Sequence, residues 1–286
     1  MRAGISARGW WGGRAPQKTQ TESAHGRAGM TTTSIRVDES PAVLFALRRA
    51  DDALVLGHRL SEWCGHAPTP EEDIALANMG LDLLGQARTL YAWAAEAEGA
   101  GHDEDQFAYL RDPPQYRNLL LLEQPNGDFA HTMLRQFLYA AFIDPWWRAM
   151  TASTNPGLAG IAAKAEKETA YHLRHASEWT IRLGDGTPES HRRAQDALDA
   201  LYPYTGEMFG PPDEAPLVTD GTAIDPATLR PVWDRTLNAV LAQATLVRPT
   251  TTWSQKGGRT GQHTEHLGFL LAEMQHLPRT HPGATW

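Results

Sequence analysis

The chain reads as all-α: a bundle of long helices with two or three further helices at its C-terminal end. Three observations carry this. Apolar residues recur at helical spacing and nowhere alternate as they do in a strand. The helical stretches open at Ser/Thr/Asn/Asp-Pro pairs, which set an N-cap and a first-turn proline. Two stretches run unbroken over 70–98 and 156–184.

In order, Ser40-Pro41 opens a first helix through Leu44, Leu47, Leu54, Leu56, Leu60 and Trp63, closed by Gly65 and Pro68. Thr69-Pro70-Glu71-Glu72 is a capping-box start for a second, running to Glu98 before Gly99 and Gly101. At ~1.5 Å per residue it is more than ~40 Å long, a length that belongs to a large bundle. A connector with Pro113-Pro114 follows, then the turn Glu123-Gln124-Pro125-Asn126-Gly127 and a third helix from Asp128 to Trp147, which Pro145 is expected to kink. Asn155-Pro156 starts the fourth helix and Thr187-Pro188 a fifth, expected to reach Phe209. A sixth follows Asp225-Pro226 and has to accommodate Pro231. After a basic, glycine-rich turn at 255–261, the last helix runs through Leu267, Leu270, Leu271 and Met274.

Composition narrows the function. The 286 residues are 41% hydrophobic with 10 Trp, a globular balance. The net charge of −8, with bases interleaved among acids, argues against a nucleic-acid surface. A single cysteine, Cys64, excludes an intramolecular disulfide and a cysteine-based zinc or iron–sulfur site, and is expected to pack. No apolar run approaches the ~20 residues of a membrane span, so a cytoplasmic protein is expected. Residues 1–36 differ from the rest: Met1–Met30 holds five Lys/Arg against one acid and no periodic pattern. They are expected to form a disordered extension ahead of one helical domain at 37–286.

A bundle of this size raises the ferritin-like di-iron fold, which needs a carboxylate from each of two helices and an inward Glu-x-x-His pair from each of the other two. Glu168, His172 and His175 look like such a set. Advancing ~100° per residue, however, the apolar stripe of the fourth helix is Ile161, Ala162, Ala165, Thr169, Leu173, Ala176, Trp179, Thr180 and Leu183. The inward i, i+3 pair is therefore Thr169/His172, with Glu168 and His175 at the margin. On the second helix the stripe Leu76, Met79, Gly80, Leu83, Ala87, Leu90, Ala94 makes the corresponding pair Leu83/Gln86, with Asp82 turned away. An aliphatic, an amide and a hydroxyl do not suit di-iron, and only His172 remains ligand-like. Glu168, His172 and His175 then read as a network with Lys164 or Arg182. The alternative is a self-sufficient metalloenzyme using those three with His58 or Glu62. Glu273/His276 and Asp128/His131 also show carboxylate-x-x-His spacing, and His263, Glu265 and His266 could bind zinc or cap the last helix. Arg48-Arg49 and Asp51-Asp52 read as a solvated helix face.

The strings Asp82-Leu-Leu-Gly-Gln-Ala-Arg88, Leu122-Glu-Gln-Pro-Asn-Gly-Asp-Phe-Ala130, Tyr171-His-Leu-Arg174, His263-Thr-Glu-His-Leu-Gly268 and Leu271-Ala-Glu-Met-Gln275 resemble the PaaC family of bacterial phenylacetyl-CoA 1,2-epoxidases. The resemblance spans 42–286. It implies a ferritin-like fold and a structural subunit of an oxygenase complex, not itself catalytic. Its implied partners are a homologous catalytic di-iron subunit, a small bridging subunit and a reductase carrying FAD and iron–sulfur, with no cofactor in this chain. It also implies that Leu83, Gln86, Thr169 and His172 occupy degenerate di-iron ligand positions.

Overall fold

The computed structural model describes residues 33–210, 215–251 and 253–284. Among them are ten α-helices and no strand: α1 Pro41–Ser61, α2 Pro70–Glu98, α3 Glu104–Tyr109, α4 Leu120–Glu123, α5 Phe129–Met150, α6 Pro156–Gly184, α7 Pro188–Leu201, α8 Ala215–Thr219, α9 Arg230–Gln243 and α10 Glu265–Thr280. The expected disorder of the N-terminal extension falls mostly on residues outside the described ones. Ile35 is buried and its N–H donates to Leu110 O at 2.9 Å, so the packed chain reaches upstream of residue 37.

The caps act as their residue types dictate. Ser40, Thr69, Asp128, Asn155 and Thr187 each accept from a backbone N–H in the first turn of α1, α2, α5, α6 and α7. Gly99 ends α2 at φ 69°, a left-handed conformation that costs glycine little.

The four long helices pack as two hairpins, α1 on α2 and α5 on α6, which meet along α2 and α6. Glycine sets the first hairpin's spacing: a Cβ on Gly57 would lie 3.3 Å from Gly80 O, and one on Gly80 3.1 Å from Ser61 Oγ. Large side chains bridge α1 to α5. Phe45 and Trp146 have ring centroids 5.9 Å apart, and the Arg49 guanidinium lies 4.9 Å from Trp146 and 5.3 Å from Phe142.

Three expectations about elements are corrected. The fifth helix stops at Leu201 and the chain tightens into a 3₁₀ turn over Tyr202–Phe209, because Pro203 has no N–H to continue the ladder. The sixth helix starts at Arg230 and not at Pro226: Pro226–Leu229 is a separate 3₁₀ turn, and Pro231 is tolerated in the first turn of α9, where a missing N–H costs nothing. The connector over 103–118 contains α3, opened by a reciprocal Asp103/Gln106 capping box. α5, in turn, continues through Pro145 to Met150.

Candidate functional site

Helical periodicity placed the α2 and α6 faces correctly. Leu83 and Thr169 are 1% and 0% exposed, Gln86 5% and His172 1%, and all four lie inside the bundle. Each of the three polar side chains already holds a hydrogen bond. The Thr169 hydroxyl donates back to Ala165 O at 3.0 Å. The Gln86 amide donates across to Glu168 Oε2 at 2.9 Å, and His172 Nε2 lies 3.1 Å from Asp82 Oδ2. Asp82 therefore does not turn away from α6; it reaches back along the margin of α2 to meet the imidazole. His175 makes a third contact, Nε2 to Glu72 Oε2 at 2.8 Å, while its buried Nδ1 has no hydrogen-bond partner among the described residues.

The polar rungs run antiparallel between the two helices: Glu72 to His175, Asp82 to His172, Gln86 to Glu168. Lys164 joins the last at 3.5 Å, one turn along α6 from Glu168. The expected network exists, but its partners come from α2 and not from Arg182, which lies 5.3 Å over the Trp179 ring. Each histidine meets a different carboxylate, and among the described residues no group of three or more His, Cys, Asp or Glu is placed to hold a metal. A di-iron group therefore does not fit this donor set of an aliphatic, an amide, a hydroxyl and one engaged imidazole.

The other candidates disperse as well. Glu62 pairs with Arg59 at 2.7 Å and accepts from Asn126 Nδ2 at 2.8 Å. Glu273 and His276 are exposed on α10. Asp128 caps α5 by accepting from the His131 N–H at 2.9 Å and pairs with Arg193 at 3.2 Å. His263 neither caps nor faces outward: Nδ1 meets Glu123 Oε2 at 2.9 Å and Nε2 meets Tyr116 O at 3.0 Å, with the Glu123 side chain fully buried. Cys64, expected to pack, is exposed in the turn after α1.

The largest departure from the sequence reading is the supposed solvated face of α1. Arg48, Arg49, Asp51 and Asp52 are all buried, because the crossover segment between α3 and α4 and the 255–262 turn lie over that side of the helix. Asp51 accepts from Tyr91 OH at 2.5 Å, Arg111 Nη2 at 2.5 Å and the Arg117 N–H at 2.7 Å. Asp52 accepts from the Leu119 N–H at 2.8 Å, Arg259 Nη2 at 2.7 Å and Arg49 Nη1 at 3.1 Å. Two adjacent carboxylates thus fix two backbone amides of the crossover and clamp Arg111 and Arg259 from distant parts of the chain. Burial raises the Asp52 carboxyl despite the opposing pull of Arg259 and Arg49. Burial also works against the Arg111 cation, yet Asp51 outweighs it and the guanidinium is held more firmly protonated. Arg135 on α5 has no ion pair among the described residues, and burial with the neighbouring Arg59 pushes it down to about 9 against the weaker pull of Glu62. Its guanidinium donates to Gln124 O at 2.7 Å and Asn126 Oδ1 at 2.6 Å.

Four long helices packed as two hairpins, with a polar ladder between α2 and α6, make this an all-α, ferritin-like bundle. The chain belongs to a family described as phenylacetic acid catabolic protein, whose model matches residues 28–286. It is 49% identical over 247 residues to the C subunit of the 1,2-phenylacetyl-CoA epoxidase of Escherichia coli (strain K12), an alignment covering 85% of this chain and 98% of that protein. No described helix is long and apolar enough to cross a membrane.

Proposed function

We propose that this chain is the structural, non-catalytic subunit of a multicomponent phenylacetyl-CoA 1,2-epoxidase in cytoplasmic phenylacetate catabolism. It stabilises a homologous catalytic subunit that holds the di-iron centre. A small bridging subunit and a reductase with FAD and iron–sulfur complete the complex, and this chain holds no cofactor of its own. The observation that supports the reading is a bundle whose buried α2 and α6 faces carry Leu83, Gln86, Thr169 and an Asp82-engaged His172, residues read here as degenerate ligand positions. The similarity to a protein named as the C subunit of that epoxidase supports it.

The scaffold role predicts that this chain co-purifies with the catalytic subunit. Without this chain the catalytic subunit should aggregate or lose activity, because an obligate interface exposes apolar area when its partner is missing. A catalytic subunit that is stable and fully active alone would sink the role. Metal analysis of this chain after expression in iron-, manganese- and zinc-supplemented medium is expected to find less than one ion per chain.

A further inference from the structure

The last helix is joined to the crossover through a buried carboxylate and imidazole that neither the α2–α6 ladder nor the paired aspartates of α1 use. Glu123 ends α4 with its side chain 0% exposed, and the side chain of His263, just ahead of α10, is 5% exposed. The Glu123 carboxylate accepts from the Thr264 N–H at 2.6 Å through Oε1 and from Asn118 Nδ2 at 3.0 Å through Oε2. Thr264 is the N-cap residue of α10, yet its hydroxyl makes no capping bond. The anion at the start of this helix therefore comes from α4, where it also meets the positive end of the helix dipole.

The imidazole lies between two acceptors. Nδ1 is 2.9 Å from Glu123 Oε2, and Nε2 is 3.0 Å from Tyr116 O. A backbone carbonyl has no proton to give, so Nε2 must carry one, and a neutral imidazole then has none left for Nδ1. A second proton is needed between Nδ1 and the carboxylate. With both carboxylate oxygens already accepting an N–H, the ring carries it. The charged groups packed around the pair are themselves matched. Arg59 of α1 donates to Glu123 O at 2.8 Å, lies 3.4 Å from His266 O and pairs with Glu62 at 2.7 Å; Arg117 of the crossover pairs with Glu39. Without the second proton, Nδ1 and Oε2 would be two buried acceptors facing each other, an arrangement that costs the desolvation of both.

We propose that Glu123 and His263 form a proton-held latch: a buried carboxylate–imidazolium pair docks the start of α10 on α4 and the crossover, and loss of its proton loosens that helix. The latch belongs to this chain and does not depend on the scaffold role. Its sign follows from linkage: the docked helix binds one proton more than the released one, so docking weakens as pH rises. Two measurements on the purified full-length chain test it. In a long-range proton–nitrogen spectrum of histidine-labelled protein at neutral pH, the resonance lost in His263→Gln should show a proton on each ring nitrogen. Hydrogen exchange between about pH 7 and about pH 9 should show the protection of α10 amides, taken relative to those of the histidine-free α9, falling at least about threefold, with a ceiling of about tenfold per pH unit for one proton. Glu123→Gln, whose amide can donate to a neutral Nδ1, should leave His263 with a single N–H and make the α10-to-α9 ratio independent of pH. Should either variant fail to fold, the exchange of the unsubstituted chain decides by itself. A single N–H on His263 of the unsubstituted chain overturns the proposal. So does a ratio that does not fall with pH, or a fall that persists in folded Glu123→Gln.

Discussion

The α2–α6 ladder and the α1 ion centre are both built from buried charged and polar side chains, yet they do different jobs. The ladder's carboxylates sit at the edge of the bundle: Asp82 keeps a third of its side chain in solvent, and each rung joins one residue of α2 to one of α6. The α1 centre is dry and shared, since Asp51 and Asp52 are fully buried and each serves an arginine and a backbone amide from segments far along the chain. The ladder orients two helices that apolar packing already brings together, whereas the ion centre ties the crossover and the C-terminal segment to the bundle.

That contrast can be broken or sharpened by substitution. Asp52→Ala removes the buried carboxylate that Arg49, Arg259 and the Leu119 N–H share, and breaking one partner of a buried ion network costs about 3–5 kcal/mol. At roughly 2–4 °C per kcal/mol for a chain of this size, the melting temperature should fall by about 10 °C. A fall no larger than that of a ladder variant would show the two regions to be energetically alike. His172→Ala removes a ring that is 1% exposed and leaves a void between α2 and α6, a loss of about 2 kcal/mol by chemical denaturation. Glu72→Ala leaves His175 without its carboxylate at a site with some solvent access and should cost about 1 kcal/mol.

The pH dependence comes from the ends of α1 and α5. Burial, then the charge of Arg59, lowers the His58 imidazole; burial, then Arg135, lowers that of His131, with Asp128 opposing. Their folded values lie below the unfolded value near 6.5, so the unfolded chain takes up protons first as pH falls. Stability is therefore intact above about pH 6.5 and declines as pH drops through it. Denaturation midpoints between pH 7.5 and 5 should follow this sign, and His58→Gln should flatten the slope. A slope left unchanged by the substitution would remove His58 from the account.

Long amphipathic helices made the bundle legible. On α6, residues 162, 165, 169, 172, 176 and 180 are buried as a ~100° advance requires, and so the Thr169/His172 pair could be assigned from sequence. The same method failed on α1, where Asp51-Asp52 break the apolar run and look solvated. Periodicity reports which face of a helix is apolar; it does not report that a polar face will be covered by another segment. The covering chain here is Pro-rich irregular backbone, whose amides need acceptors once buried, and the acceptors are these two aspartates.

By itself the sequence determined the helices, their caps and the unsuitability of Leu83, Gln86 and Thr169 as iron ligands, because these follow from local spacing and side-chain chemistry. Only the tertiary structure decided that Asp82 reaches His172, that α1 carries charge in its interior, and that the 255–261 turn packs against the crossover. Each depends on residues from separate segments meeting across the fold, and burial reverses the preference that an isolated charged side chain has for water.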